Sequence, residues 1–265
     1  CHCLVGSEMC IRDSFITIFV FNLLIVSILF VISLWIKKAD IIDIYWGPAF
    51  LLSSLIILFL NQSYSLPSIV IIFVLGLWSI RLGSHLYSRN IGQSEDIRYT
   101  KIRSKYGNLG LFMINYVVQA TLIPIISLPI IIVVVSNLNE FNFVSYAAII
   151  VALSGIIIEA LADSQLKEFK RHESNKNKVM NLGLWNYSRH PNYFGNSIMW
   201  WGISVYCFSI SFNFIALISP VAMTYLLIKV SGVSMLENQI KHTKDGYEEY
   251  IKTTSAFIIL PKKKL

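Results

Sequence analysis

The sequence predicts an all-α, polytopic membrane protein, and three observations predict it. Of its 265 residues, 55% are hydrophobic and 14% charged, with a mean hydropathy of +0.62, whereas a soluble domain carries about a quarter charged residues. The apolar residues gather in runs of about 20, the length at which a helix crosses roughly 30 Å of hydrocarbon. The basic residues behind the net charge of +7 lie in short blocks between those runs, not along one face as a nucleic-acid surface requires. Soluble α/β folds and nucleic-acid partners are excluded on these grounds.

The elements follow in order. Residues 1–13 hold Cys1, Cys3 and Cys10, a spacing with neither a fourth ligand nor a His pair for zinc, so no metal site is expected. The segment also lacks the n-region and cleavage pattern of a signal peptide. It reads as a non-native or disordered leader ahead of a single membrane domain over 14–265. Phe15 to Ile36 is free of charge and is the first span; Ile41 to Leu60 is the second, and Leu66 to Tyr87 the third. The fourth, Gly110 to Val135, contains Asn115, Gln119, Pro124 and Pro129, which predicts a kink or a tilt. The fifth runs from Phe143 to Leu161. The apolar stretch from Tyr193 to Val230 is too long for one crossing and divides near Ser209 to Asn213 into a sixth and a seventh.

Basic residues accumulate on the cytoplasmic side of membrane proteins, which tests this count. They follow spans one, three, five and seven, and the opposite loops hold none; of the 22 Lys and Arg residues, all but Arg12 fall on one side. Seven spans with the N-terminus outside and the C-terminus in the cytoplasm is the arrangement consistent with this. The chain shows no repeat of the kind that marks many transporters.

Ionisable groups within spans are costly and mark cavities or pathways. Four places carry them. Asp40, Asp43, Tyr45 and Trp46 stand at the start of span two, where a helix cap with an aromatic anchor is the plain alternative. Arg81 and His85 lie one turn apart on span three, where snorkelling of Arg81 is the alternative. Glu159, Asp163 and Lys167 share one helical stripe that Lys170 continues, or else form a solvated helix end pairing its own charges. Arg189, His190, Asn192 and Asn196 fall within eight residues beside an apolar span, Pro191 being suited to open the helix. Core packing explains this last cluster poorly.

At these residues the chain resembles the steroid 5-alpha-reductase C-terminal-domain family, in its broad branch of uncharacterised bacterial-type membrane proteins. The resemblance extends over most of the chain. It is carried by Asp43, Tyr45, Trp46 and Gly47; by Trp78, Arg81 and Leu82; by Glu95, Asp96, Arg98 and Tyr99; and by Lys105, Tyr106 and Gly107. Further along it includes the segment Ser188 to Gly195 and a tail with Ser231, Gly232, Leu236, Glu237, Gly246, Tyr247, Tyr250 and Thr254 to Phe257. The superfamily includes NADPH-dependent steroid and sterol reductases and also methyltransferases that use S-adenosylmethionine, and both share the segment around Arg189, His190 and Pro191. Reductases carry an Asn and an Asp one turn apart before the loop and an Asn and a Glu after it. Glu159 and Asp163, then Asn192 and Asn196, stand at those positions, so Glu159 and Asn196 depart from the pattern. Paired acids, frequent in the methyltransferase tail, are represented here by Glu237 followed by Asn238.

The resemblance implies an enzyme that reduces a carbon–carbon double bond in a lipophilic enone, steroid or sterol-like substrate drawn from the bilayer, among membrane lipids. With no glycine-rich dinucleotide fingerprint, NADPH would lie at the cytoplasmic side within 159–265. Its implied ligands are Glu159, Asp163, Lys167, Lys170, Arg171, Arg189, His190, Asn192, Asn196 and Glu237, the cations suiting the phosphates. Reduction of an enone builds charge on the substrate oxygen, which a hydrogen-bond donor stabilises; Asp43, Tyr45, Arg81 and His85 are the candidates. The competing reading is a lipid or isoprenylcysteine-type methyltransferase with Arg189, His190 and Glu237 around S-adenosylmethionine. The excess of phosphate-suited cations near Glu159 to Arg171 favours reduction. The expected location is the cytoplasmic membrane of a bacterium or the endoplasmic reticulum of a eukaryote.

Overall fold

The computed structural model describes residues 4–230, 233, 237 and 246–263, with side chains from Glu8 onward. Of the residues named above, Cys1, Cys3, Ser231, Gly232, Leu236 and Asn238 lie outside the described residues. The architecture is helical, and among the described residues the β structure reduces to a single bridge, Ser188 with Ser255. The helices are α1 (Leu4–Ile36), α2 (Ile41–Leu60), α3 (Leu66–Asn90), α4 (Ile97–Leu111), α5 (Val118–Ile126), α6 (Leu128–Ser136), α7 (Phe143–Arg171), α8 (Pro191–Ser211), α9 (Ile218–Tyr225) and α10 (Tyr247–Thr253). Two π-helical turns, Phe112–Val117 and Leu226–Val230, follow α4 and α9.

Among the described residues, five helical stretches are long and apolar enough to cross a bilayer: Glu8–Ile36, Ile41–Leu60, Leu66–Asn90, Ile97–Ile126 and Phe143–Arg171. This is the make-up of a multi-pass membrane protein. The apolar stretch Phe214–Val230 is shorter, and α8, expected as the sixth span, is not among the five. The helix of the first span starts at Leu4, so the segment expected to be a disordered leader is helical from that residue on. The fourth stretch also begins earlier than expected, at Ile97, because a polar helix precedes it; Gly107, with φ of 69°, separates the two. The expected bend comes at Ser127, where α5 ends and α6 restarts with Pro129 in its first turn. Proline has no N–H to continue the ladder and its ring crowds the preceding turn.

The chain divides into two compact units, residues 1–145 with 207–219, and residues 146–206 with 220–265, where the sequence suggested one domain. In the first, Val26 of α1, Ala39 and Ile42 at the start of α2, and Tyr99, Leu111, Tyr116 and Ala120 of the fourth stretch form a buried core. Helices α2 and α3 meet at Gly47, where a Cβ would stand 3.0 Å from the Ser79 carbonyl oxygen and Ser79 Oγ donates to the Gly47 carbonyl at 2.7 Å.

In the second unit α7 and α8 run antiparallel in backbone contact. A Cβ on Gly195 would come within 2.6 Å of the Glu159 nitrogen, and one on Gly202 within 2.5 Å of the Ala152 nitrogen. Small residues allow this approach, as in many membrane helix pairs. It sets the register that brings the polar ends of the two helices face to face.

Candidate functional site

The polar residues of the first unit gather where the α1–α2 turn meets the segment after α3. Asp43, in the first turn of α2, accepts from Arg98 Nη2 at 3.1 Å on Oδ2 and from the Tyr99 hydroxyl on Oδ1. Asp96 caps α4, accepting from the Arg98 backbone N–H at 2.9 Å and from its side chain at 2.8 Å. Burial alone would raise the Asp96 pKa, but these bonds outweigh it and hold the carboxyl below its ordinary range. At Asp40 burial pushes the pKa up, opposed by Lys38 and aided by the charges of Asp43, Glu95 and Asp96.

The same turn is clasped from several sides. Glu95 accepts from the Ala39 N–H at 2.7 Å and from both terminal nitrogens of Arg103 at 2.8 Å. Lys38 Nζ donates to the Asn90 carbonyl at 2.9 Å, and the Tyr116 hydroxyl to the Ala39 carbonyl at 2.9 Å. Tyr45 turns elsewhere, its hydroxyl donating to Asn22 Oδ1 at 2.8 Å, while Asn22 Nδ2 reaches Ser53 Oγ at 2.9 Å. Arg81 and His85 are half-buried one turn apart on α3. Of the four expected catalytic residues, Asp43 stands in a hydrogen-bonded cluster with Arg98 and Tyr99, and Tyr45 in a separate one with Asn22.

In the second unit Asn192 Nδ2 donates to Asp163 Oδ1 at 3.0 Å, and one turn deeper Asn196 Nδ2 donates to Glu159 Oε1 at 3.3 Å. Glu159, Asp163 and Asn196 are all buried. Asn196 Oδ1 is buried too and has no hydrogen-bond partner among the described residues. Lys167 and Lys170 are exposed further along α7, and Arg171, also exposed, pairs with Glu168 at 2.8 Å. The ladder is held from outside by the segment before α8: Trp185 Nε1 donates to the Ala162 carbonyl at 3.0 Å and the Leu184 N–H to Gln165 Oε1 at 3.0 Å. Gly183, with φ of 57°, packs so closely on Gln165 that a Cβ would stand 2.6 Å from its amide.

Arg189 takes a different place from the one expected. It is buried, and its guanidinium donates to Glu237 Oε1 at 2.8 Å and Oε2 at 3.3 Å, to the Ile251 carbonyl at 2.8 Å and to the Thr254 carbonyl at 3.0 Å. These donors hold the tail, where a phosphate was expected. His190 Nε2 stands 3.4 Å from Glu237 Oε1, with its ring stacked on Tyr193. Burial would raise the Glu237 pKa, yet His190 and Arg189 outweigh it and hold the carboxyl below its ordinary range. The neighbouring tyrosines shift the other way, with burial and the nearby Glu237 charge pushing Tyr247 up to about 12. Burial likewise raises Tyr250, whose hydroxyl donates to the Trp185 carbonyl. The tail also pairs through Arg189 N–H to the Ser255 carbonyl at 2.8 Å, Ser188 Oγ to the Phe257 carbonyl at 2.8 Å and Leu260 N–H to the Tyr187 carbonyl at 3.1 Å.

Asn22, Arg98 and Tyr99 were not singled out as site residues from the sequence. Asn22 carried a usable signal, an amide in the middle of an apolar run; Tyr99 carried none beyond its place after Asp96 and Arg98. Among the described residues no group of three or more His, Cys, Asp or Glu is arranged to hold a metal ion.

A family model described as "Protein of unknown function (DUF1295)" matches residues 29–254. The chain is also similar to "Uncharacterized protein C594.04c" of Schizosaccharomyces pombe, with 25% identity over 211 residues, which is 69% of this chain and 60% of that protein. The chain thus spans less than two thirds of the length of that relative. No solved structure matches it.

Proposed function

The chain belongs to the DUF1295 family, and from that premise we propose that it is an NADPH-dependent reductase of a carbon–carbon double bond in a lipophilic enone, steroid or sterol-like substrate. In this reading it has seven spans, an outer N-terminus and a cytoplasmic C-terminus, in a bacterial cytoplasmic membrane or the endoplasmic reticulum. The observation that carries the reading is the two-rung ladder of Asp163 with Asn192 and Glu159 with Asn196, continued along α7 by exposed cations. A ladder of amides and carboxylates suits the hydroxyls and carboxamide of a dinucleotide, and the cations suit its phosphates. The unpartnered Asn196 Oδ1 fits such a donor, since a buried acceptor left without one is penalised by about 1–3 kcal/mol.

The cofactor, when bound, supplies the hydride. The chain supplies position and charge. Asp163 and Asn192 hold each other in the orientation in which they meet a ligand, while Lys167, Lys170 and Arg171 offer charge-assisted donors. Arg189 serves the site indirectly, by fixing the tail. The proton and the stabilisation of the substrate oxygen are assigned to the donors expected from the sequence, Asp43, Tyr45, Arg81 and His85. The Tyr45 hydroxyl donates to Asn22 and the Tyr99 hydroxyl to Asp43; Asp43 and Tyr99 are the favoured donor pair because the Arg98 guanidinium stands on Asp43 to offset charge. A proton given up by Tyr99 leaves a phenolate beside the Asp43 carboxylate, and the Arg98 guanidinium on Asp43 Oδ2 offsets part of that charge.

Calorimetry on the detergent-purified protein tests the reading, with NADPH expected to bind at micromolar affinity and S-adenosylmethionine not to bind. Binding of the methyl donor with none of NADPH overturns it in favour of a lipid methyltransferase. Binding of neither removes the enzyme reading and leaves a transporter or scaffold.

A further inference from the structure

We propose that Asn115 and Gln119, one turn apart in the fourth apolar stretch, form a site for the hydroxyl of a membrane-soluble ligand. Asn115 Oδ1 and Gln119 Oε1 are both buried and have no hydrogen-bond partner among the described residues. In water or in a loop that would mean little. Within a stretch apolar enough to cross a bilayer, an acceptor without a donor is costly, and polar side chains persist there where they meet a partner or a ligand.

The pair stands beside the packed face of its helix. The face of this helix that packs against α1 is made by Tyr116 and Ala120, both fully buried in the first unit's core, and Asn115 and Gln119 each stand one residue away from it. Several other interior polar groups of the first unit do find partners. Asn22 is bonded to Ser53 and to Tyr45, Ser54 to the Phe50 carbonyl, Ser79 to the Gly47 carbonyl and Tyr116 to the Ala39 carbonyl. A third observation is the backbone itself. Asn115 sits in the π-helical turn Phe112–Val117, a rare, wide turn that occurs frequently at functional positions.

The chemistry of the pair selects the ligand. Two neutral carboxamides suit a hydroxyl, which donates to one amide oxygen and accepts from the other amide's N–H. A cation would call for a carboxylate, and an aliphatic tail offers no hydrogen. The occupant is therefore the hydroxyl end of a lipophile that enters from the bilayer. The proposal rests on the proposed function only for the supposition that such a ligand is drawn from the membrane, and its test uses neither cofactor nor turnover, so the two fail separately.

The test compares farnesol and geranylgeraniol with their methyl ethers, binding to the full chain in lipid nanodiscs by native mass spectrometry and thermal shift. The wild type is expected to bind the alcohols about tenfold more tightly than the ethers, a difference of about 1.4 kcal/mol. The near-isosteric double variant Asn115→Leu, Gln119→Met is expected to bind alcohol and ether alike while melting no lower than the wild type. Equal affinity for alcohol and ether in the wild type, which is the result if a water alone serves the pair, overturns the proposal, as does binding of neither. A double variant that keeps the tenfold preference, or melts several degrees lower, assigns the pair to packing and overturns it as well.

Discussion

The Tyr99 hydroxyl donates to Asp43, a phenol at the start of α4 meeting a carboxylate in the first turn of α2, with Arg98 on the other oxygen at 3.1 Å. Residues more than 50 positions apart thereby form one hydrogen-bonded unit, and Asp96 fixes the intervening Arg98 by capping the helix that carries it. Removing the phenol hydroxyl takes away the proton and leaves the ring. Tyr99→Phe is accordingly expected to lower turnover of an enone substrate by about 10²–10³-fold, the range for loss of a positioned acid or oxyanion donor, with the affinity for NADPH unchanged. Stopped-flow oxidation of NADPH beside calorimetry on the same variant checks it; equal turnover removes Tyr99 from the donor pair.

How far the sequence carried this picture differs between the two units. The spacing of Glu159 and Asp163, and of Asn192 and Asn196, placed each pair on one helical stripe, and the two stripes do meet as Asn–acid rungs. That was legible because a helix's period turns spacing into a face. The role of Arg189 was not. A basic residue beside histidine and asparagine suits a phosphate by composition, but its donors go to Glu237 and to two carbonyls of the tail about 60 residues on, a long-range contact that no local pattern encodes. Tyr99 was missed for the same reason. The bend at Ser127 was legible from Pro129, whereas the polar helix ahead of the fourth stretch was not, because the break at Gly107 shows only as a positive φ.

The α7–α8 ladder predicts how a single amide behaves. Asn192→Ala removes a ligand-facing group and also leaves Asp163 without that donor, and a loss of about 1.4–3 kcal/mol corresponds to a Kd for NADPH raised about tenfold to a hundredfold. Lys167→Ala, whose side chain is exposed, is expected to weaken binding more at low salt than at high salt, since screening reduces the contribution of an exposed charge. Titrations at two ionic strengths separate the two effects. Wild-type affinity in both variants would sink the assignment of this ladder to the cofactor.

Gly195 tests whether the register of that ladder depends on helix contact. An added Cβ would meet the Glu159 nitrogen at 2.6 Å and the Gly155 carbonyl at 2.7 Å, and neither is the end of a flexible side chain that can move aside. Gly195→Ala must push α7 and α8 apart. A stability loss of about 1–3 kcal/mol is expected, the usual range for overpacking, together with weaker NADPH binding as both rungs lengthen. Thermal unfolding of the purified variant measures the first and calorimetry the second; an unchanged melting point would show that the helices yield elsewhere.

The link between Arg189 and Glu237 predicts a pH dependence with a defined sign. Glu237 is held below its ordinary carboxyl range when folded, because hydrogen bonds and charge from His190 and Arg189 overcome the effect of burial. A carboxyl depressed on folding adds stability that is fully present above its unfolded pKa, about 4.3, and that fades as pH falls through the lower folded value. Glu237→Gln is neutral throughout and cannot follow that course. At neutral pH the wild type should therefore exceed Glu237→Gln by about 2 kcal/mol, the scale of a hydrogen bond to a charged group, and the advantage should shrink only as the medium drops below about pH 4. Arg189→Lys keeps the charge but loses the planar fork that reaches both Glu237 and the carbonyls of Ile251 and Thr254. It should lower stability at every pH and loosen the tail to limited proteolysis near residues 251–260. Melting curves for the three proteins across the acid range decide it: a wild-type advantage over Glu237→Gln that is constant down to the lowest pH would show that the Glu237 charge is not what anchors the tail.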